Sequence, residues 1–224
     1  MSVLHIDGAQ GEGSGGLLRT ALAMAAITQQ PVHIENVRGG SKYPGVDPED
    51  LAILQILAKS TQADLKGAEL GSDELLYAPK VRPNPVNLRI DDIRNSDMRG
   101  PNALIVLNTV LPVLARAGGY SYLEVAGETY GHHALSYDMF ANATLALHRK
   151  FGIYAESTLK RAGFGREANG RVTLEIEPSA VQAVRWDDRG SFLGLQAVVT
   201  TGEMSPSVAG RAVSHLKKLG ETSS

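Results

Sequence analysis

The sequence predicts an α/β (α+β) protein built from a repeated unit, and three observations predict it. Short apolar or alternating runs of strand length are separated by longer stretches in which Leu and Ala recur at helical spacing. The order strand, helix, strand, helix, strand, strand is met twice at a separation of about ninety residues, too long for a solenoid and suited to duplicated α/β subdomains. The chain has 224 residues, of which 43% are hydrophobic, so it is long enough to bury a sizeable core. Cysteine is absent, which excludes disulfides, thiolate metal sites and cysteine nucleophiles.

From the N-terminus, Val3 to Ile6 is a short strand, and Leu17 to Thr28 is a helix of Leu and Ala ending before Pro31. Val32 to Val37 is the next strand. Asp47-Pro48-Glu49-Asp50 is a helix start, with aspartate as N-cap and proline at the first helical position, and Leu51, Leu54, Ile56 and Leu57 form its buried stripe. Ala63 to Leu65 and Leu75 to Tyr77 are two further strands, which close a first unit over 1–80. A second unit, 81–180, runs through strand Val86 to Ile90, helix Pro101 to Ala117, strand Tyr122 to Val125, helix Asp138 to Phe151, and strands at Ile153 to Ser157 and Val172 to Ile176. Residues 181–224 are expected to begin a third unit that stays incomplete, with strand-like Phe192 to Val199 and a helix from Pro206 to Leu219.

The chemistry is concentrated at the first strand-to-helix turn. Asp7-Gly8-Ala9-Gln10-Gly11-Glu12-Gly13-Ser14-Gly15-Gly16, followed by Leu17-Leu18-Arg19-Thr20, brings glycines, a carboxylate and an arginine to one place. Glycine allows positive φ and close approach of a ligand, and the first turn of the following helix offers unpaired N–H groups and the positive end of a dipole. Gly11-x-Gly13-x-x-Gly16 also fits a dinucleotide fingerprint, with Glu35 as the ribose acid. Four residues separate Ile6 from Gly11, however, and no succession of buried parallel strands follows, so that reading is set aside. No lysine with serine or threonine follows the glycines, so this is not a Walker loop.

The charge balance, 22 basic against 24 acidic residues, argues against a protein that coats nucleic acid everywhere and leaves room for a local basic groove. With no charged-then-apolar leader and no apolar run approaching 18 residues, a cytoplasmic chain without membrane contact is expected.

Three segments together carry a family resemblance. Ile6-Asp7-Gly8-Ala9-Gln10-Gly11-Glu12-Gly13, then Leu18-Arg19-Thr20-Ala21-Leu22, then Pro31-Val32-His33-Ile34-Glu35-Asn36-Val37-Arg38 resemble the N-terminal signature of RNA 3'-terminal phosphate cyclases. Lys42-Tyr43-Pro44-Gly45, Gly67-Ala68-Glu69-Leu70-Gly71-Ser72 and Thr109-Val110-Leu111-Pro112-Val113-Leu114 resemble later cyclase segments in the same order. The resemblance implies βαβαββ repeats with a smaller inserted α/β domain. It implies ATP and a divalent metal (Mg or Mn) as cofactors, and an RNA 3' end as partner. In that family a histidine carries AMP, the RNA 3'-phosphate accepts it, and the adjacent 2'-hydroxyl displaces it to leave a 2',3'-cyclic phosphate.

Carried over residue by residue, Glu12, Arg19 and Arg38 fall on positions used for metal, nucleotide or phosphate contacts, with Glu12 the metal candidate. Gly11, Gly13, Gly15 and Lys42 are the candidates for holding the nucleotide, and Asp7 keeps the turn. Gly16 departs from a family glutamine, Ser41 from a second arginine, and Glu49-Asp50 from a glutamine-histidine pair, changes that make the pocket less attractive to polyphosphate. The nucleophilic histidine belongs to the family's C-terminal part. The chain is therefore expected to be a fragment of a longer cyclase-like protein, or a shortened relative that binds ligand or RNA without AMP transfer.

Plainer roles stand beside these. Asp7 serves the turn alone, Glu12 favours the helix dipole, Arg19 is a surface helix residue, Arg38 pairs with Glu35, and Lys42 is a solvated loop charge. Arg82, Arg89, Arg94 and Arg99 are scattered charges or line an RNA groove. His132 and His133 follow a strand as a loop pair without a third metal ligand in local sequence. His5 and His33 are ordinary strand histidines, and His148 and His215 lie on helices without a partner motif. Ser96 to Pro101 with Gly127 to Gly131 also resembles the enolpyruvyl transferases, which share the repeat architecture, and the glycine turn fits the cyclases better.

Overall fold

The structure, a computed structural model, describes residues 2–91, 93, 100–131, 134–165, 169–188, 190–191, 194, 196–202 and 204–222. The chain forms two compact units, Met1–Val184 and Arg185–Ser224. The larger holds two four-stranded sheets with the same strand order. The first contains β1 (Leu4–Asp7), β2 (Val32–Glu35), β3 (Asp64–Lys66) and β4 (Leu75–Ala78), in the order β1-β2-β4-β3. The second contains β5 (Asn87–Ile90), β6 (Ser121–Gly127), β7 (Ala155–Arg161) and β8 (Gly170–Ile176), in the order β5-β6-β8-β7. In both, the first two strands are parallel and the other pairings antiparallel, so the repeated α/β pattern of the sequence is the fold.

Each parallel pair is joined by a crossover helix, as parallel strands require: α1 (Gly15–Thr28) in the first half and α3 (Ala103–Leu114) in the second. Between β2 and β3 runs α2 (Pro48–Thr61), which starts as the sequence predicts, with Asp47 as N-cap and Pro48 in the first turn. Between β6 and β7 lies a helix of three parts: α4 (Tyr137–Met139), a π-helical turn (Phe140–Thr144) and α5 (Leu145–Lys150). At that turn the Leu145 N–H reaches Phe140 O, five residues back, while the Phe140 side chain is fully buried.

Strand alternation decides which face is covered. Val32, Ile34, Leu75 and Tyr77 are buried on the inner face of the first sheet, and Leu123, Val125, Val172, Leu174 and Ile176 on that of the second. The helices α1, α2 and α3 pack on one another, α1 also contacting β2 and β4, and α3 contacting β6 and β8. One continuous core results, in which Ile53, Leu54, Ile56 and Leu57 of α2 meet Leu104, Leu107 and Leu111 of α3. Tyr77 enters it with its hydroxyl 2.7 Å from Thr61 Oγ1, which satisfies both polar groups.

Two expectations are corrected. The helix predicted from Pro101 to Ala117 begins at Ala103, because Asn102 takes the N-cap and accepts from the Leu104 and Ile105 N–H groups. In the smaller unit α6 (Pro206–Thr222) forms; of the strand predicted over Phe192 to Val199, the described residues 194 and 196–199 carry no regular structure, and Phe192, Leu193 and Leu195 lie outside the described residues. No described strand in that unit offers those residues a ladder, and Val198 stays exposed. Among the described residues no helix is long and apolar enough to cross a membrane.

Candidate functional site

Two loops meet where β1 and β2 end. Asp7 Oδ1 accepts from the Ala9 N–H at 3.0 Å and from Asn36 Nδ2 at 3.1 Å, so this carboxylate ties the glycine turn to the loop after β2. The two hydrogen bonds hold its carboxyl below the usual 3.8. The backbone continues the seam: the Gly8 N–H donates to Glu35 O at 2.7 Å, and the Gly40 N–H to Gly13 O at 3.1 Å. Gly13 requires its missing side chain, because φ is 52° and a Cβ would stand 2.5 Å from Gly40 N. Gly11 also has positive φ, 62°, and is exposed at the tip.

The turn delivers the start of α1. Ser14 caps it, its Oγ accepting from the Gly16 N–H at 3.4 Å. Arg19 lies one turn further on and folds back over the helix start, so that a Cβ on Gly15 would stand 2.5 Å from Arg19 Nη1. The facing loop brings Arg38, in the left-handed region at φ 54°, a conformation that a non-glycine residue keeps only when its surroundings enforce it.

Both arginines converge on α2. Arg38 Nη1 pairs with Asp47 and, at 3.4 Å, with Asp50 Oδ2, and Arg19 Nη1 lies 4.0 Å from Asp50 Oδ1. The Asp50 side chain is completely buried. Asp47 and Asp50 also form a reciprocal capping box, each accepting from the other's backbone N–H, at 3.0 and 3.2 Å. Arg38 thus expresses its charge against two carboxylates rather than against Glu35. Its buried Nε makes no hydrogen bond among the described residues. The centre is a balanced cluster of two guanidinium groups and two carboxylates, not an open cationic cleft.

The other candidates are spread around it. Glu12 is exposed, and its carboxylate makes no hydrogen bond or ion pair among the described residues, which leaves a hard oxygen donor of the kind magnesium or manganese takes. Lys42 is exposed with its ammonium 5.3 Å from the Tyr43 ring centre. Glu49, adjacent to Asp50, turns away: its Oε1 accepts from the buried Asn102 N–H at 3.1 Å and so links the start of α2 to the cap of α3. Of the arginines considered for an RNA groove, Arg89 is paired with Asp91 and Glu124, while Arg94 and Arg99 lie outside the described residues, as do His132 and His133.

Sequence reasoning identified Asp47 as a cap but missed that Asp47 and Asp50 would hold the two arginines. The signal was present in the capping-box spacing, which fixes both carboxylates on one side of the helix start. The donors fit a phosphate group: N–H groups of a helix start behind a glycine turn, Arg19 across it, and Arg38 with an unused buried Nε. Residues 10–216 match the family model described as RNA 3'-terminal phosphate cyclase. With Gly11, Gly13, Arg19 and Arg38, and every strand and helix from α1 to β8, inside the matched region, the chain belongs to the RNA 3'-terminal phosphate cyclase family.

Proposed function

We propose that the turn between β1 and α1 is a nucleotide and RNA-end site, taking ATP with a divalent metal and presenting it to an RNA 3'-phosphate. What carries this reading is the convergence of Arg19, from the first turns of α1, and Arg38 on Asp50 at the start of α2, beside a glycine turn locked to the Gly39-Gly40 loop. When bound, ATP would supply the AMP group of the family reaction, with pyrophosphate as its leaving group. The chain's own part is to hold phosphate oxygens with the first N–H groups of α1 and with the two guanidinium groups, and to offer Glu12 as a carboxylate for the metal. Asp47 and Asp50 position Arg38 and compete with phosphate for it, so nucleotide affinity is set by that exchange.

Nucleotidyl transfer to protein needs a nucleophile, and the described histidines of the larger unit are engaged elsewhere. His5 and His33 face one another on the outer face of the first sheet, and His148 Nδ1 bonds Thr144 O at 2.9 Å within its own helix. A second reading follows from the paired arginines: a relative that binds RNA ends without the ATP step.

The test is equilibrium binding of ATP with Mg2+ or Mn2+, run beside incubation with α-labelled ATP to detect acid-labile label on the protein. ATP should bind, and Arg38→Ala and Arg19→Ala should each weaken it by roughly 10-fold or more, the worth of a charge-assisted contact. Acid-labile label would add a nucleophile within this chain. Failure of ATP to bind, with 3'-phosphorylated RNA still bound in a strongly salt-dependent way, would replace the first reading with the second.

A further inference from the structure

We infer that His5, His33 and Glu35 form a binding site for a divalent transition metal, Zn2+ or a metal of similar softness, on the outer face of the first sheet. The site is separate from the glycine turn and does not rest on the function proposed for it. Parallel pairing of β1 with β2 puts His5 directly opposite His33, and strand alternation sends Glu35 to the same face as His33. His5 Nδ1 and His33 Nδ1 are 3.2 Å apart. Two nitrogens bound at about 2.0–2.1 Å to one tetrahedral zinc stand about 3.3 Å from each other, so this pair is already at ligand spacing. Glu35 Oε1 lies 3.9 Å from His33 Nδ1, and one ligand atom from each of the three residues falls within 4.8 Å of the others.

The tautomer is fixed from behind. His33 Nε2 is 2.6 Å from Glu74 Oε1, a carboxylate that accepts only from a protonated nitrogen. Neutral His33 with its proton there presents a lone pair at Nδ1, toward His5. This is the carboxylate–histidine–metal arrangement in which an outer carboxylate orients the ligand ring. An N–H···N bond between the rings would account for the 3.2 Å spacing and for the Glu74 contact, but it gives the approach of Glu35 to the same pair no part. Two imidazoles and one carboxylate favour zinc over magnesium, and three protein ligands leave a fourth position for water. His5 and His33 also line a hollow with Val3, Lys66, Ser72 and Leu76, which gives that position room. The bound metal would clasp β1, whose outer residues are exposed, to β2.

The experiment uses the untagged full chain, stripped of metal, titrated with Co2+ as a spectroscopic probe and then with Zn2+ as competitor. One equivalent of Co2+ should give the intense visible absorption of tetrahedral coordination, Zn2+ should abolish it, and excess Mg2+ should not. His5→Ala and His33→Ala should each remove that absorption, and Glu74→Gln should weaken affinity by roughly 10- to 100-fold while keeping the spectrum, as loss of an outer partner does. Thermal unfolding provides the second readout: Zn2+ should raise the Tm of the parent chain and leave that of His5→Ala unchanged. Absorption that survives both histidine substitutions, or no binding by the parent chain, overturns the proposal. Because Glu12 is untouched in these variants, ATP binding should persist in His5→Ala, so failure here and failure at the glycine turn are told apart.

Discussion

The outer face of the second sheet is knitted by its own charges, whereas that of the first leaves potential ligand atoms facing one another. On the second, Arg171 Nη1 donates to Glu124 Oε1 at 2.7 Å and Arg89 bridges Asp91 and Glu124. On the first, His5, His33 and Glu35 bring one ligand atom each to within 4.8 Å of the others. The same strand order therefore supports a closed polar surface in one half and an open one in the other. The helix starts differ in the opposite sense. Asn102 caps α3 from a fully buried position with bonds at 3.0 and 3.1 Å, while Ser14 caps α1 beside the exposed turn with one bond at 3.4 Å. The half with the tight cap is the one without the glycine turn, consistent with binding being drawn from the looser start.

Substituting the two caps gives the largest expected effect. Asn102→Ala should lower stability by about 2 kcal/mol, because one buried and one part-buried N–H group lose their acceptor, and Ser14→Ala by about 0.5 kcal/mol or less. Urea unfolding of both variants checks this, and equal losses would erase the contrast between the halves. Next in size is Arg171→Leu, which should cost about 0.5–1 kcal/mol as a partly exposed ion-pair network loses its central cation. The hydrogen bond from Arg171 holds the Glu124 carboxyl below its ordinary 4.5. A depressed carboxyl contributes stability that is present above 4.5 and lost as pH falls through its folded value. The parent chain should therefore lose more stability than Arg171→Leu when the pH is taken below 4.5, as read from urea midpoints.

Much of the fold was legible because its signals are local. The apolar spacing of Leu51, Leu54 and Leu57 and the cap at Asp47 specify α2 without reference to anything distant. The repeat was legible because both halves use the same order of elements. The site was legible only in part. Glycines at 11, 13 and 15 and the arginines at 19 and 38 declare a turn with cations, but the partner of Arg38 depends on how the loop after β2 folds back, and its positive φ has no sequence signature in an arginine. His5 and His33 are 28 residues apart, and only parallel register makes them neighbours. Glu49 and Asp50 are adjacent, yet one serves α3 and the other the arginines, a division that single-residue spacing on a helix produces and a sequence pattern does not reveal.

The smallest expected effect separates two tyrosines that reach the same place by different means. Tyr77, in the first half, is pushed up to about 12 chiefly by burial, with the Thr61 hydrogen bond acting against that rise. Tyr120, in the second, is also pushed up to about 12, but chiefly by the hydrogen bond its hydroxyl donates to Glu175 Oε2 at 2.7 Å. In both cases the folded state keeps the proton to higher pH than an ordinary tyrosine at 10.0, so any stability gained is present below 10.0 and lost as pH rises toward 12. Glu175→Gln removes the charge that Tyr120 faces and leaves the core around Tyr77 intact. Alkaline absorbance titration of the variant should show Tyr120 moving back toward 10.0, with a smaller fall for Tyr122, which the Glu175 charge also raises, while Tyr77 stays, with no measurable change in stability at neutral pH. If Tyr77 moved as well, Glu175 would be acting through the packing of the whole larger unit, and the separation between a face held by charge and a core held by burial would fail.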